Sequence, residues 1–346
     1  MKKGLLLIVV LAMLLTLVAC GVKGNGASTD ASASKNGKDA SASEHTTKIA
    51  LCLTGPANDG AWSSYAYNAV MDAKKEFGIE VLYTENVKPT DMEAVFADYA
   101  AQGCDLIIGH GFAFGDAALA VGALYPDVSF TIIDGSVEAE NVASYNLSTQ
   151  ERGYVYGVMA AMMSESGKVG FVAGVEGPAI IKVAEAFKLG AKATDPDIEA
   201  MTAYTGSFDD AAKSKEAAQA MIDKGADFLV GVANQSNVGM IKACEENGIY
   251  CIGELDQQKL APNNVVMCSL SDIRQLVYIA VQEVLNGNFE GGIHDYGLAA
   301  GVLGFTDYGE LEDKIPQDVK DAVAKTIEDI KSGALKVPKI EEITPD

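Results

Sequence analysis

The sequence predicts an α/β protein of two doubly wound parallel-sheet lobes with a ligand cleft between them. Three observations predict it. Short apolar runs of strand length alternate with helical patterns from about Lys48 onward. The same order restarts near Val169, over a stretch of similar length. The apolar runs end in glycine-rich loops that carry aromatics, carboxylates and carboxamides.

Ahead of this pattern stand two segments of different character. Lys2 and Lys3 precede an apolar stretch, Leu5 to Leu15, of signal-peptide length and short for a permanent span. Leu17-Val18-Ala19-Cys20 then has the bacterial lipobox pattern, in which a small residue precedes a cysteine that takes lipid. Residues 1–19 read as a lipoprotein signal peptide and Cys20 as the lipidated residue. Two acyl chains suffice for stable anchoring, so the expected location is the extracytoplasmic face of the cell membrane. The rest of 20–47 is rich in Ser, Ala, Gly, Asn, Asp and Lys and reads as a disordered tether.

In the first repeat, Ile49 to Leu53 reads as a buried parallel strand, Trp62 to Phe77 as a helix and Glu80 to Tyr83 as a strand. Thr90-Asp91-Met92-Glu93 has the form of a capping box. Met92, Val95, Phe96 and Tyr99 follow it at helical spacing. Strands at Leu106 to Ile108, Val128 to Ile133 and Val142 to Asn146 follow, with a helix from Phe114 to Leu124. The second repeat places strands at Val169 to Val172, Ala200 to Tyr204, Phe228 to Val230, Ile249 to Ile252 and Val265 to Cys268. Its helices run Ala179 to Ala193, Asp209 to Lys224 and Val238 to Asn247. From Ile273 to Leu285 the apolar residues fall on one helical stripe.

Three crossings between lobes are expected, near Asn146 to Gln150, Cys268 to Asp272 and Asp295 to Ala300. They divide the chain into a first lobe of 48–146 plus 269–295 and a second of 147–268 plus 296–346. Open α/β sheets bind ligands outside the carboxyl ends of their strands. The residues there are Asn58, Asp59 and Trp62 after the first strand, Phe112 after the third and Asp134 after the fourth; Asn234 and Asp256 follow strands of the second lobe. Flat aromatics suit a ring ligand, and Asp and Asn suit its hydroxyls and ring nitrogens. Each has a structural alternative: Asp59 suits a helix N-cap, Asp134 a turn, and Trp62 a core anchor.

Composition and motifs exclude other classes. With 26 basic against 48 acidic residues the formal charge is −22, which opposes a nucleic-acid partner. Gly55 to Gly60 has P-loop glycine spacing, but Ala61-Trp62 stands where phosphate and magnesium chemistry needs Lys-Ser/Thr. No nucleophile–base pair and no G-x-S-x-G elbow occur, so no enzyme and no cofactor is expected. The three histidines lack metal-ligand spacing, so no metal site is expected. Cys52, Cys104, Cys244, Cys251 and Cys268 contain no CxxC and read as small buried residues; spacing alone does not support a Cys244–Cys251 disulfide.

The chain also resembles the basic membrane protein family of bacterial lipoproteins, which includes purine nucleoside receptors feeding ABC importers. The resemblance runs from about Lys48 to Lys331. It rests on Asn58-Asp59-Gly60-Ala61-Trp62, Gly109-x-Gly-Phe112, Phe130-Thr-Ile-Ile-Asp134, Phe171-Val-Ala-Gly174 and Ala186-Phe187-Lys188-Leu189-Gly190-Ala191. Tyr204-Thr-Gly-Ser-Phe208-Asp209, Gly225-Ala226-Asp227 and Ile252-Gly253 through Ala261-Pro262 complete it. It implies a type I periplasmic binding protein fold and a monomer that closes by a hinge on a purine nucleoside or similar ring compound. It also implies an ABC transporter permease as partner. Asp59, Trp62, Phe112, Asp134, Asn234 and Asp256 match the family's ligand positions loosely. Two departures stand out. Glu254-Leu255-Asp256-Gln257-Gln258 replaces a Val-Asp-x-Asp-Gln run, and Ser269 to Asp272 stands where a lysine is expected. The alternatives on the same fold are a sugar or signalling-molecule receptor and a sensing module for a membrane kinase.

Overall fold

The computed structural model describes residues 46–59 and 62–344. The signal segment, Cys20 and nearly all of the tether lie outside the described residues, as do Gly60 and Ala61 of the first loop. The chain begins β1 (Lys48–Leu53), α1 (Trp62–Phe77), β2 (Glu80–Thr84), α2 (Met92–Ala101), β3 (Leu106–His110), α3 (Gly115–Gly122), β4 (Ser129–Ile133) and β5 (Val142–Leu147). Then come α4 (Thr149–Met163), β6 (Lys168–Ala173), α5 (Pro178–Thr194), β7 (Glu199–Tyr204), α6 (Ala211–Asp223), β8 (Phe228–Val232), α7 (Asn237–Asn247), β9 (Tyr250–Glu254) and β10 (Val265–Ser271). It closes with α8 (Ile273–Leu285), β11 (Gly292–Tyr296), β12 (Leu303–Phe305) and α9 (Gln317–Lys331).

The strands form two six-stranded sheets, ordered β11-β5-β4-β3-β1-β2 and β12-β10-β9-β8-β6-β7. Every pairing in the first is parallel. In the second, only the edge strand β12 runs antiparallel to its neighbour, a common departure in mainly parallel sheets. Parallel strands covered on both faces need apolar side chains at every position, and β3 and β8 are buried throughout.

Each lobe buries its sheet under helices. Asp59 caps α1 by accepting hydrogen bonds from the Ser63 and Ser64 amides at 2.9 and 3.0 Å. Asp210 caps α6 in the same way, accepting from Ala212 and Lys213. The expected capping box at Thr90 does not form: the Thr90 hydroxyl donates to the Asp91 side chain at 3.0 Å, and Pro89–Asp91 is a short 3-10 turn ahead of α2. At the other end of a helix, Gly248 terminates α7 with φ 69°, where a side chain is disfavoured.

Helix α4 and the edge strands β11 and β12 are the elements that hydrophobic pattern does not announce. Along α4, Gly153 and Gly157 let the backbone of α5 approach. A Cβ at Gly157 would meet the Phe187 carbonyl oxygen at 2.1 Å, and one at Gly190 would meet that of Tyr154 at 2.1 Å. The two helices therefore pack as closely as backbones allow, around the fully buried Tyr156 and Phe187.

The chain passes between the sheets three times: from β5 into α4, from β10 into α8, and from β11 into β12. Leu147 pairs with Tyr296 in the first sheet, and Ser269 to Ser271 pair in the second. The strands thus run one to three residues past the expected boundaries. The crossings are tied to one another. Ser148 N donates to Tyr296 O at 2.8 Å, Leu298 N to Glu151 Oε2 at 2.7 Å, and Asp272 N to Val302 O at 2.8 Å. Beyond α9, Lys339 reaches Asp295 of β11 at 3.4 Å, and Thr344 bonds the buried Glu185 of α5.

Candidate functional site

The carboxyl ends of β1, β3 and β4 lie side by side, because β3 pairs with both neighbours and His110 stands opposite Leu53 and Ile133. This register brings the loops that carry Trp62, Phe112 and Asp134 together with His110 at the carboxyl end of the first sheet. The Trp62 ring stacks on His110 with centroids 4.1 Å apart and planes 25° apart. His110 Nε2 lies 2.9 Å from the Trp62 carbonyl oxygen, so Nε2 carries the proton and donates. Nδ1 is then the bare nitrogen, buried with no hydrogen-bond partner. Burial pushes the imidazole pKa down to about 4, against smaller opposing effects of the Trp62 carbonyl and Asp59. The ring is neutral near pH 7, and its stack and hydrogen bond hold Trp62 at the strand end.

Phe112 is the most exposed large aromatic among the described residues. It follows Gly111, whose φ of 129° turns the chain out of the sheet, and its side chain is 74% exposed. The packing of the ligand-free chain leaves this ring in water at the end of β3. Asp134 is exposed as well, with φ 58°, and its amide donates to Tyr145 O at 2.9 Å. Asp and Asn adopt that backbone conformation more readily than other side chains, as at a turn. Asp59 and Asn58 are exposed, but the Asp59 carboxylate is engaged in capping α1. The cap reading of Asp59 therefore holds whatever else its oxygens accept.

In the second sheet the ends of β8 and β9 are neighbours. Asn234 stands there with φ 51°; its amide donates to Glu254 Oε2 at 3.1 Å, and its carbonyl accepts from Gln257 Nε2 at 2.8 Å. Asn237 Nδ2 also donates to Glu254 Oε2, at 3.0 Å. Asp256 is not part of this cluster. It lies in solvent, paired with Lys259 at 3.2 Å, the two side chains 78% and 79% exposed, and such pairs contribute little. The carboxylate that the lobe holds at this strand end is Glu254.

Four residues that sequence reasoning did not single out belong to this picture: His110, Glu254, Phe208 and Lys182. Phe208 follows β7 and packs on Gly174, where any Cβ would sit 2.3 Å from its ring. Glycine after β6 is thus what lets an aromatic lie across the strand end. Lys182 of α5 donates to Leu147 O at 3.2 Å, joining the second lobe to the last residue of β5. Burial and then the Lys339 charge lower its pKa, while Asp295, Glu341 and Asp134 oppose them. Only His110 had a possible sequence signal, as the one histidine flanked by glycines at a strand end.

The five cysteines among the described residues are free and buried, and burial raises the pKa of Cys104 and Cys268 to about 11. No group of three or more His, Cys, Asp or Glu side chains suited to a metal occurs among the described residues. Two cavities of about 360 and 440 Å³ open in the second lobe, one beside Met267, Phe305 and Tyr308 and one beside Leu255 and Leu270. Asp256 lines the second of these, but neither is lined by Trp62, Phe112 or Asn234.

Comparison with known proteins agrees with this architecture. The chain is 32% identical over 270 residues to basic membrane protein A2 of Borrelia garinii, covering 75% of this chain and 79% of that protein. It is 28% identical to a purine-binding protein of Brucella abortus, covering 84% and 83%. It is 30% identical to the transcriptional activator protein med of Bacillus subtilis, covering 81% and 87%. Among solved structures, an ABC transporter solute-binding protein from Conexibacter woesei superposes with a TM-score of 0.65 at 27% identity, covering 86% of this chain and all of that one. Residues 46–341 match the family model for PnrA-like ABC transporter substrate-binding proteins, and the chain belongs to that family, Bmp.

Proposed function

We propose that this substrate-binding protein is the lipid-anchored, extracytoplasmic receptor of an ABC importer, and that it captures a purine nucleoside or similar ring compound by closing its two lobes. The family binds substrates for transport and performs no chemistry on them. The observation that carries the ligand class is the exposed Phe112 after β3, at the same strand end as the Trp62–His110 stack, with Asp134 following the neighbouring β4. A purine offers a π-face to the first two and polar edges or ribose hydroxyls to the third. The purine-binding relative supports the same class. In this reading Asn234, at the end of β8 in the other lobe, supplies a carboxamide, Asn58 and Asp59 belong to the loop after β1, and Asp256 lies outside the ligand's first contacts. The lobes rotate about the three crossings, which makes closure a hinge motion of two rigid sheets. Capture by one chain needs no second copy, so the receptor works as a monomer and presents its closed form to the permease.

The med relative motivates a second reading, in which the fold serves regulation rather than import. Direct DNA contact is disfavoured by the formal charge of −22. Mass spectrometry of the small molecule released from purified, denatured protein tests the ligand class. A purine nucleoside is the expected species, and a sugar recovered alone speaks for a different receptor. Anchoring is tested separately: Cys20→Ser should abolish lipid attachment and shed the protein from the membrane fraction.

A further inference from the structure

Arg152 sits in the first turn of α4, directly after the first crossing. Its Nη1 is 3.6 Å from Glu254 Oε1 and 3.3 Å from Ser271 Oγ. Ser271 ends β10, where the second crossing starts. One side chain thus touches two of the three crossings and the carboxylate at the end of β9. Both members of the ion pair are largely withdrawn from water, with side chains 12% and 11% exposed. A partly buried charge of this kind persists only with a charged partner.

Glu254 passes the connection on. Its second oxygen accepts from the Asn234 amide and from Asn237 Nδ2, while its own amide donates to Gln257 Oε1 at 2.9 Å. Gln257 returns to the Asn234 carbonyl. Asn234 is held from both sides in a left-handed conformation that an L-residue adopts at some cost, which the surrounding bonds must offset. Without Glu254 oriented, that conformation has no fixed amide acceptor. In the other direction, Arg152 Nε and the neighbouring Thr149 and Gln150 side chains each carry a buried polar atom with no hydrogen-bond partner. The start of α4 therefore holds polar groups that a rearrangement at the crossing could still pair.

We propose that Arg152 is the positioning residue that links the hinge to the binding loop of the second lobe, by holding Glu254 and through it the backbone of Asn234. It does not touch the ligand; it sets the loop that does, from the two crossings that must move when the lobes close. The proposal rests on reading the Asn234 loop as ligand-facing, but its first test needs no ligand. Amide hydrogen exchange is measured on the ligand-free chain, on Arg152→Met, Arg152→Lys and Glu254→Gln, and on the Arg152→Met/Glu254→Gln double variant. Arg152→Met should speed exchange across 232–237 by about tenfold while β1 and β3 of the first lobe keep their protection. Arg152→Lys should restore most of it, because a cation remains at the crossing. In the Glu254→Gln background, Arg152→Met should add little, since the two act as one unit. Guanosine affinity by calorimetry should fall about tenfold in Arg152→Met and recover in Arg152→Lys. Unchanged exchange at 232–237 in Arg152→Met overturns the proposal, and so does a uniform rise over both lobes that Lys fails to rescue. If exchange behaves as expected but the parent chain binds no nucleoside, the positioning role stands and the ligand class fails.

Discussion

Phe112→Ala separates binding from folding more cleanly than any other change in this protein. The side chain is 74% exposed, so its removal deletes little packing from the ligand-free state. Covering that exposed portion on closure would stabilise the complex by about 1–2 kcal/mol, from the ~1.5–3 kcal/mol of fully burying a large apolar side chain. Aromatic stacking on a base, at roughly 1–3 kcal/mol, gives a similar figure by a different route. The two agree on a loss of about tenfold in affinity. Isothermal titration of parent and variant with the tightest-binding nucleoside measures it, and a thermal melt of both ligand-free proteins supplies the control. The melting temperature should move by no more than about 2 °C. Trp62→Ala should behave differently, since Trp62 also packs on His110 and against the core; it should lose affinity and stability together. An unchanged affinity in Phe112→Ala refutes the placement of this ring against the ligand. A drop in melting temperature of core-deletion size refutes the premise that it does no packing.

Three further predictions concern stability and burial. His110 has a folded pKa of about 4, below its ordinary value near 6.5, so the unfolded chain binds more protons between those values. Its contribution should be fully present above pH 6.5 and be lost as pH falls toward 4, by roughly 3 kcal/mol at most; denaturant melts across that range should show a shallower pH slope in His110→Gln. Gly157→Ala should cost at least ~3 kcal/mol, because the new methyl meets backbone atoms of α5 that cannot give way; urea titration reads it, and a cost under about 1 kcal/mol contradicts the close approach. The five buried cysteines should resist a thiol reagent in the folded protein and react fully once it is denatured; intact mass after each treatment decides it.

Much of the fold was legible because parallel strands buried on both faces leave unbroken apolar runs, as Leu106 to Ile108 and Phe228 to Val230 do. Helix α4 was not legible for the opposite reason. It is enclosed by α5 and α9, and its Gly, Tyr, Val and Ala residues are buried on most sides, so no polar stripe marks its period. Strands β11 and β12 are short, half-exposed edges with no apolar run to read. At the site, strand ends could be located from glycine-rich loops, but spacing does not show which side chain turns inward. Glu254 and Asp256 are two residues apart, yet Leu255 between them has φ 56° and breaks the alternation expected of a strand. That irregularity leaves Glu254 held and Asp256 in solvent. The role of His110 depends on β1 lying beside β3, a tertiary fact that no local pattern carries.

Calorimetry on the purified, refolded chain shows directly whether the proposed purine nucleoside binds. Refolding removes any ligand carried through purification. Adenosine, guanosine, inosine and uridine are titrated alongside ribose, glucose and galactose. At least one purine nucleoside should bind with a 1:1 stoichiometry and a negative heat-capacity change, the mark of apolar surface buried between closing lobes, and the free sugars should give no heat of binding. Saturable binding of a sugar, with no response to any nucleoside, would contradict the account.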